Sequence, residues 1–205
     1  RFRTSASADA LKSHALSDKS YLVQAEAARA LGKTRQDAAF EPLVELLDRP
    51  SWADVIAGGA IDGLAQSRDE RALPHLYARA KYGHPQRARR AAILAIPKIA
   101  NDRKAREFLE EQLDDNDPIV RIDVVRALDE MGDIKSRGAL RARLGVDLDA
   151  RVRRRIREAL RDIGADTKKG ADEMRGELEK LETAQRDLKT RVQALEAKLR
   201  AKKKK

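Results

Sequence analysis

The sequence predicts an all-α protein: an alpha-alpha solenoid of five helical hairpins followed by a C-terminal coiled-coil helix. Three observations predict it. The apolar residues Leu31, Leu64, Ile96, Leu128 and Leu160 recur at intervals of 33, 32, 32 and 32 residues. A separate series, Leu11, Leu43, Leu76, Phe108 and Leu140, keeps step at 32, 33, 32 and 32. Of the 205 residues 41% are hydrophobic but only 3% aromatic, so the core is built from Ala and Leu rather than rings. Such side chains suit helices packed closely in many thin layers.

Each period reads as two amphipathic helices. The first helices are expected near 6–16, 38–48, 70–82, 103–114 and 135–144, and the second near 20–32, 52–66, 86–100, 118–131 and 150–163. In the first of the second helices, Val23, Ala27, Ala30 and Leu31 have the spacing of a single apolar stripe. Asp117-Pro118 places an N-cap acceptor beside a proline at the first helical position. Gly32, Gly132 and Gly164 follow second helices, as expected just past a helix C-terminus. A single hairpin cannot bury both of its apolar faces, so neighbours must stack and share a core. The second helices are expected to line the concave side.

Two glycines, Gly58 and Gly59, interrupt the second helix of repeat two at a cost of roughly 2 kcal/mol in helix stability. Close packing against a neighbouring helix accounts for them, as would close approach by another chain. Trp52 is expected to plug the same gap between repeats.

Asp117-Pro118-Ile119-Val120-Arg121 and Asp149-Ala150-Arg151-Val152-Arg153 resemble the Asp-Pro-x-Val-Arg opening of the short HEAT-like repeats named after phycobilisome lyases. Arg68-Asp69-Glu70-Arg71-Ala72-Leu73-Pro74 is similar to the linking segment of that repeat. The resemblance spans roughly residues 8–164 and implies HEAT-type hairpins. It says little about function, since such arrays occur in bilin lyases, in alkylpurine DNA glycosylases and as interaction domains of larger proteins. Repeats followed by a Glu-Leu-Glu-Lys-Leu tail also resemble the C-terminal extension of bacterial zinc aminopeptidases of the alanyl aminopeptidase family. The His-Glu-x-x-His zinc helix of that family is missing from this sequence. The resemblance therefore implies a non-catalytic extension, and a chain opening on Arg1 rather than Met reads as a piece of a longer protein.

The expected organisation is a HEAT-like solenoid over 1–164, a linker over 165–172, a coiled-coil helix over 173–201 and a basic tail over 202–205. In the helix, Met174, Leu178, Leu181, Gln185, Leu188, Val192, Leu195 and Leu199 alternate spacings of four and three, a heptad seam with one polar position at Gln185. Four heptads make a rod of roughly 40 Å. It could pair two copies into a homodimer, or stand as a single helix, since Gly170 and Gly176 weaken its start.

The net charge of +10 is uneven. Residues 1–150 carry 25 basic and 24 acidic side chains, whereas 151–205 carry 19 and 10. Three arginines, Arg89, Arg121 and Arg153, share one position in successive second helices and would form a ladder with steps of about 10 Å. Such a ladder could grip phosphates or a carboxylate-rich partner. Alternatively each arginine bonds a loop aspartate or carbonyl of the adjacent repeat and staples the stack. Arg151, Arg153, Arg154, Arg155 and Arg157, with Arg87, Arg89 and Arg90, form the best candidate anion or partner surface. No aromatic residue interleaves with them for base stacking. An acidic stretch, Glu107, Glu110, Glu111, Asp114, Asp115 and Asp117, lies between the two clusters.

Nothing in the sequence assembles a nucleophile, a base and an oxyanion site. With no cysteine there are no disulfides or thiolate metal sites. The three histidines, His14, His75 and His84, lie in different repeats without zinc-ligand spacing. Gly-rich phosphate loops and a Gly-x-Ser-x-Gly turn are also missing, as is any apolar run of about 20 residues that could span a bilayer. The expectation is a scaffold with no catalytic, cofactor or metal site, presenting a stepped surface to a protein partner or to an upstream domain of the same protein. The alternative is a nucleic-acid binder using the basic patches on the second helices, and a further rival is a bilin lyase.

Overall fold

The computed structural model describes residues 4–163 together with Gln185, Arg186 and Lys189, and groups the chain into two compact units, Arg1–Ile163 and Gly164–Lys205. The linker, coiled coil and basic tail of the second unit lie outside the described residues, except that Gln185, Arg186 and Lys189 are helical and exposed. The seam residues Met174, Leu178, Leu181, Leu188, Val192, Leu195 and Leu199 therefore lie outside them too.

The first unit consists of five hairpins. Their helices are α1 (Ser5–Ser17) with α2 (Tyr21–Thr34), α3 (Phe40–Leu46) with α4 (Val55–Ser67), α5 (Leu73–Ala80) with α6 (Gln86–Ile99), α7 (Arg103–Glu111) with α8 (Pro118–Met131), and α9 (Arg137–Val146) with α10 (Ala150–Asp162). No strand occurs among the described residues; one isolated bridge links Tyr82 and His84. Several expected helices are shorter because a single 3-10 turn precedes or follows the α-helical part, as at Asp37–Ala39, Trp52–Asp54, Glu70–Ala72, Gln112–Asp114 and Ile134–Ser136.

Aspartates start many of these elements. The Asp117 carboxylate accepts the Ile119 N–H at 2.8 Å, Asp102 accepts from Ala105 at 2.8 Å, and Asp149 accepts from Arg151 at 2.8 Å. Gly132 ends α8 in the left-handed region with φ +65°. Gly32 does not play that part. It lies inside α2, and Arg35, at φ 54°, takes the left-handed position beyond the helix end.

Within each hairpin the two helices pack together, and the second helices form one continuous row, α2 on α4, α4 on α6, α6 on α8 and α8 on α10. Leu31, Leu64, Ile96 and Leu128 occupy matching, fully buried places along it, as do Leu43, Leu76 and Leu140 under the first helices. Leu160, in the last hairpin, packs against the core but is only partly buried.

The closest contact in the row is between α2 and α4. A Cβ on Gly32 would collide with the Gly63 carbonyl; one on Gly59 would lie 2.5 Å from the Ala25 oxygen, and one on Gly63 2.5 Å from the Ala28 oxygen. Three glycines thus let two helix backbones touch. Gly58 does not take part, since nothing lies within 4 Å of its Cβ direction. Trp52, expected to fill this interface, is instead 73% exposed, because the backbone itself leaves no gap for an indole.

These two glycines make opposite predictions. Gly63→Ala forces backbone against backbone and is expected to destabilise the array by about 1–3 kcal/mol. Gly58→Ala gains helix propensity without a clash and is expected to stabilise it by about 0.5–1 kcal/mol. Urea denaturation of the two variants beside the parent checks both signs.

Candidate functional site

The arginine ladder begins on α6 and α8. Arg89 and Arg121 each reach 26 residues ahead, into the turn that joins the helices of the next hairpin, where Asp115 and Asp147 wait. Each of these aspartates also folds its own turn: Asp115 accepts the Asp117 N–H at 2.8 Å, and Asp147 accepts the Asp149 N–H at 2.9 Å. The Asp-x-Asp spacing therefore has two uses. Its first carboxylate receives the arginine of the preceding repeat and its second caps the following helix.

Arg121 meets Asp147 with two parallel bonds, Nε to Oδ2 at 2.7 Å and Nη2 to Oδ1 at 3.0 Å. Its Nη1 donates to the carbonyls of Asp115 at 2.8 Å and Asn116 at 3.2 Å. Arg143 adds a second cation to Asp147 at 2.7 Å. Arg89 pairs with Asp115, both side chains almost fully buried, and its guanidinium lies 5.5 Å from the Tyr82 ring centre. Burial alone would push the Asp147 carboxyl up. The hydrogen bonds from Arg121, Arg143 and the Asp149 backbone outweigh it, and hold the group down at about 2 against the usual 3.8.

The structure does not bring the nine candidate arginines into one track. Arg89 and Arg121 are buried in these pairs. Arg90 bonds the fully buried Asp123 at 2.6 Å, and Arg155 bonds Asp129. Arg87, Arg151, Arg153, Arg154 and Arg157 are exposed. Of these, Arg151 holds Asp149 at 2.8 Å and Arg154 holds Glu158 at 3.0 Å. Arg153, on the third rung, has no side-chain partner among the described residues; the residue 26 ahead of it, Glu179, lies outside them. The aspartate partners carried a sequence signal, the Asp-x-Asp pair repeated 32 residues apart, but its meaning depends on which turn faces which helix.

The opposite end of the array is apolar. Leu22 is 57% exposed and Val23 42%, and with Leu11, Ala27, Ala30 and the stems of His14 and Glu26 they line an open groove of about 490 Å³ between α1 and α2. Their counterparts one repeat on, Val55 and Ile56, are buried. The histidines stay apart. His14 bonds Asp18 at 3.2 Å, half-buried His75 sets its ring against the edge of Phe40, and His84 lies at the turn before Pro85. Among the described residues no group of three His, Asp or Glu could hold a metal ion, and no helix is long and apolar enough to cross a membrane.

This repeating hairpin geometry agrees with a match of the chain to the family model of HEAT repeats, over residues 8–97 and 84–161. The chain belongs to the HEAT-repeat family. Among solved structures it is similar to the complex of CpcE and CpcF of phycocyanin lyase from Nostoc sp. PCC7120, at 22% identity and a TM-score of 0.62, covering 76% of this chain and 99% of that one. At that identity the likeness speaks for the fold. Human deoxyhypusine hydroxylase in complex with glycerol matches with 15% identity, 78% and 85% coverage, and a TM-score of 0.33, too low to bear on the HEAT array. No curated protein matches it.

The Asp147 carboxyl makes the array acid-sensitive. The folded Asp147 carboxyl titrates below the unfolded one, so its contribution is complete above a pH of about 4 and is lost as pH falls through about 2. The shift corresponds to about 2 kcal/mol. Asp147→Asn is expected to flatten the fall in stability between these values, as read by denaturant midpoints at stepped pH. At neutral pH Arg89→Ala, which leaves the buried Asp115 carboxylate without its arginine, is expected to cost about 3–5 kcal/mol, whereas Arg154→Ala on the surface stays within about 0.5 kcal/mol.

Proposed function

We propose that this HEAT array is a non-catalytic protein–protein interaction scaffold. The observation that carries the reading is the use of its buried charges. Arg89 and Arg121 are bonded to Asp115 and Asp147 inside the stack, so they fix one repeat against the next and are not offered to a ligand. What remains outside is a nearly neutral stepped surface with exposed apolar side chains, among them Trp52, Tyr82 and Leu148. Large apolar residues of this kind, held on a rigid frame, are what protein interfaces use as anchors. The CpcE–CpcF structure, itself a complex of two proteins, supports a protein partner.

A second reading, nucleic-acid binding, is favoured by the exposed Arg151, Arg153, Arg154 and Arg157 on α10. The two differ in a measurement. Fluorescence anisotropy with a 20-base-pair duplex is expected to give no saturable binding below about 100 μM at physiological salt, the weak end of non-specific binding. Steeply salt-dependent binding, abolished by reversing Arg151, Arg154 and Arg157 to Glu, would replace the scaffold reading. Photoreactive residues at Trp52 and Tyr82, activated in the source cells, are expected to yield adducts with protein of defined mass.

On the resemblance of the repeats and their Glu177-Leu178-Glu179-Lys180-Leu181 tail, we further read the array as the C-terminal extension of a larger enzyme such as a zinc aminopeptidase. The residues that precede Arg1 in the gene check this. A His-Glu-x-x-His helix there supports it, and an unrelated sequence removes it.

A further inference from the structure

The two ends of the second-helix row are built differently. Each second helix has a face toward the preceding hairpin and a face toward the following one. On the following side, Ala28, Ile61, Ile93 and Val125 hold one register position in α2, α4, α6 and α8, and all are fully buried. In α10 that position is Arg157, exposed and flanked by exposed Arg154 and Arg161. Charge thus closes this face of α10 to a further hairpin, as expected of a capping repeat.

On the preceding side no such closure is found among the described residues. Val23, Glu26 and Arg29 of α2 stand at the register positions of Val120, Asp123 and Arg126 in α8, each pair set by its distance from Leu31 and Leu128. In α8, which packs on α6, Val120 is fully buried. Asp123 accepts Arg126 from its own helix at 2.9 Å and Arg90 from α6 at 2.6 Å. In α2, Val23 is exposed, and among the described residues Glu26 holds only the first of these two partners, Arg29. The α1/α2 end therefore repeats the internal stacking face, apolar seat and acidic half of the cross-helix pair included.

We propose that this end face seats a helical hairpin of the same repeat type, presented by a partner protein, with an arginine on its second helix where α6 has Arg90. The inference rests on the scaffold reading and names its partner surface. Continuity with the α6/α8 interface sets the geometry. Glu26 replaces the glycine that lets α2 and α4 touch at Gly59, so the incoming helix lies at the wider α6/α8 spacing. A second copy stacked head to tail does not fit, because it would press Arg157 into the apolar seat.

The test uses the full chain, whose lack of cysteine makes Val23→Cys a single reporter thiol. A second copy of residues 4–35, with Val23 kept in it, is inserted directly before Thr4 and supplies a hairpin in the natural 32-residue step. In that copy Ala25, which holds the register position of Arg90, is left unchanged or replaced by Arg. Alkylation of the reporter thiol is expected to slow by more than about tenfold in the tandem protein. It should slow further with Ala25→Arg in the copy, and Glu26→Gln at the original position should remove that increment. Unchanged thiol reactivity in the tandem protein overturns the seat, and an arginine without effect overturns the paired charge. Concentration-dependent protection of the same thiol in the unextended chain would identify a second copy as the occupant and overturn the partner. Any of these failures leaves the scaffold reading standing, since the duplex and photo-crosslinking measurements test it at other residues.

Discussion

The structure depends on one constraint: a two-helix hairpin has two apolar faces and nothing of its own to cover them. Each repeat is folded only as far as its neighbours cover it. Leu31, Leu64, Ile96 and Leu128 are buried because each lies between successive hairpins, and Leu160, in the last, is only partly buried. Small residues follow from the same requirement. With few rings available, burial comes from bringing helices close, and at α2/α4 three glycines take that approach to its limit, backbone on backbone.

Apolar contact alone does not fix how one hairpin slides on the next. The buried ion pairs add direction. Bidentate Arg121–Asp147 tolerates little displacement, and Arg121 also ties down two carbonyls of the turn before α8. Desolvation offsets much of the attraction in such pairs, so their main effect is to penalise other registers. A second set, Arg29–Asp62 and Arg90–Asp123, repeats the idea 33 residues apart on the second-helix row. The same interactions that set the register withdraw arginines from the surface, which links the packing of the stack to the kind of partner it can meet.

The ends are where this constraint meets solvent. The α10 end is closed by charge and the α1/α2 end is left apolar, so the two sides of one repeating unit differ in what they can bind. A solenoid advertises at an open end the kind of contact it makes inside.

The sequence by itself determined the hairpin count, the period and the two buried rows, because a helix repeats its apolar face locally and a 32-residue step shows in the letters. The Asp117 cap was legible for the same reason, since a cap acts within three residues. Tertiary structure decided what local periodicity cannot carry. Gly59 and Gly63 touch α2 while Gly58 faces open space, Gly32 packs on Gly63 instead of ending its helix, and Trp52 lies outside. Equivalent letters also part company there: Arg89 and Arg121 are buried by aspartates 26 residues away, and Arg153, identical in register, is exposed. The physical reason is that a side chain's environment in a stack is set by the hairpin beside it, and which residues that hairpin presents is fixed only when the helices have met.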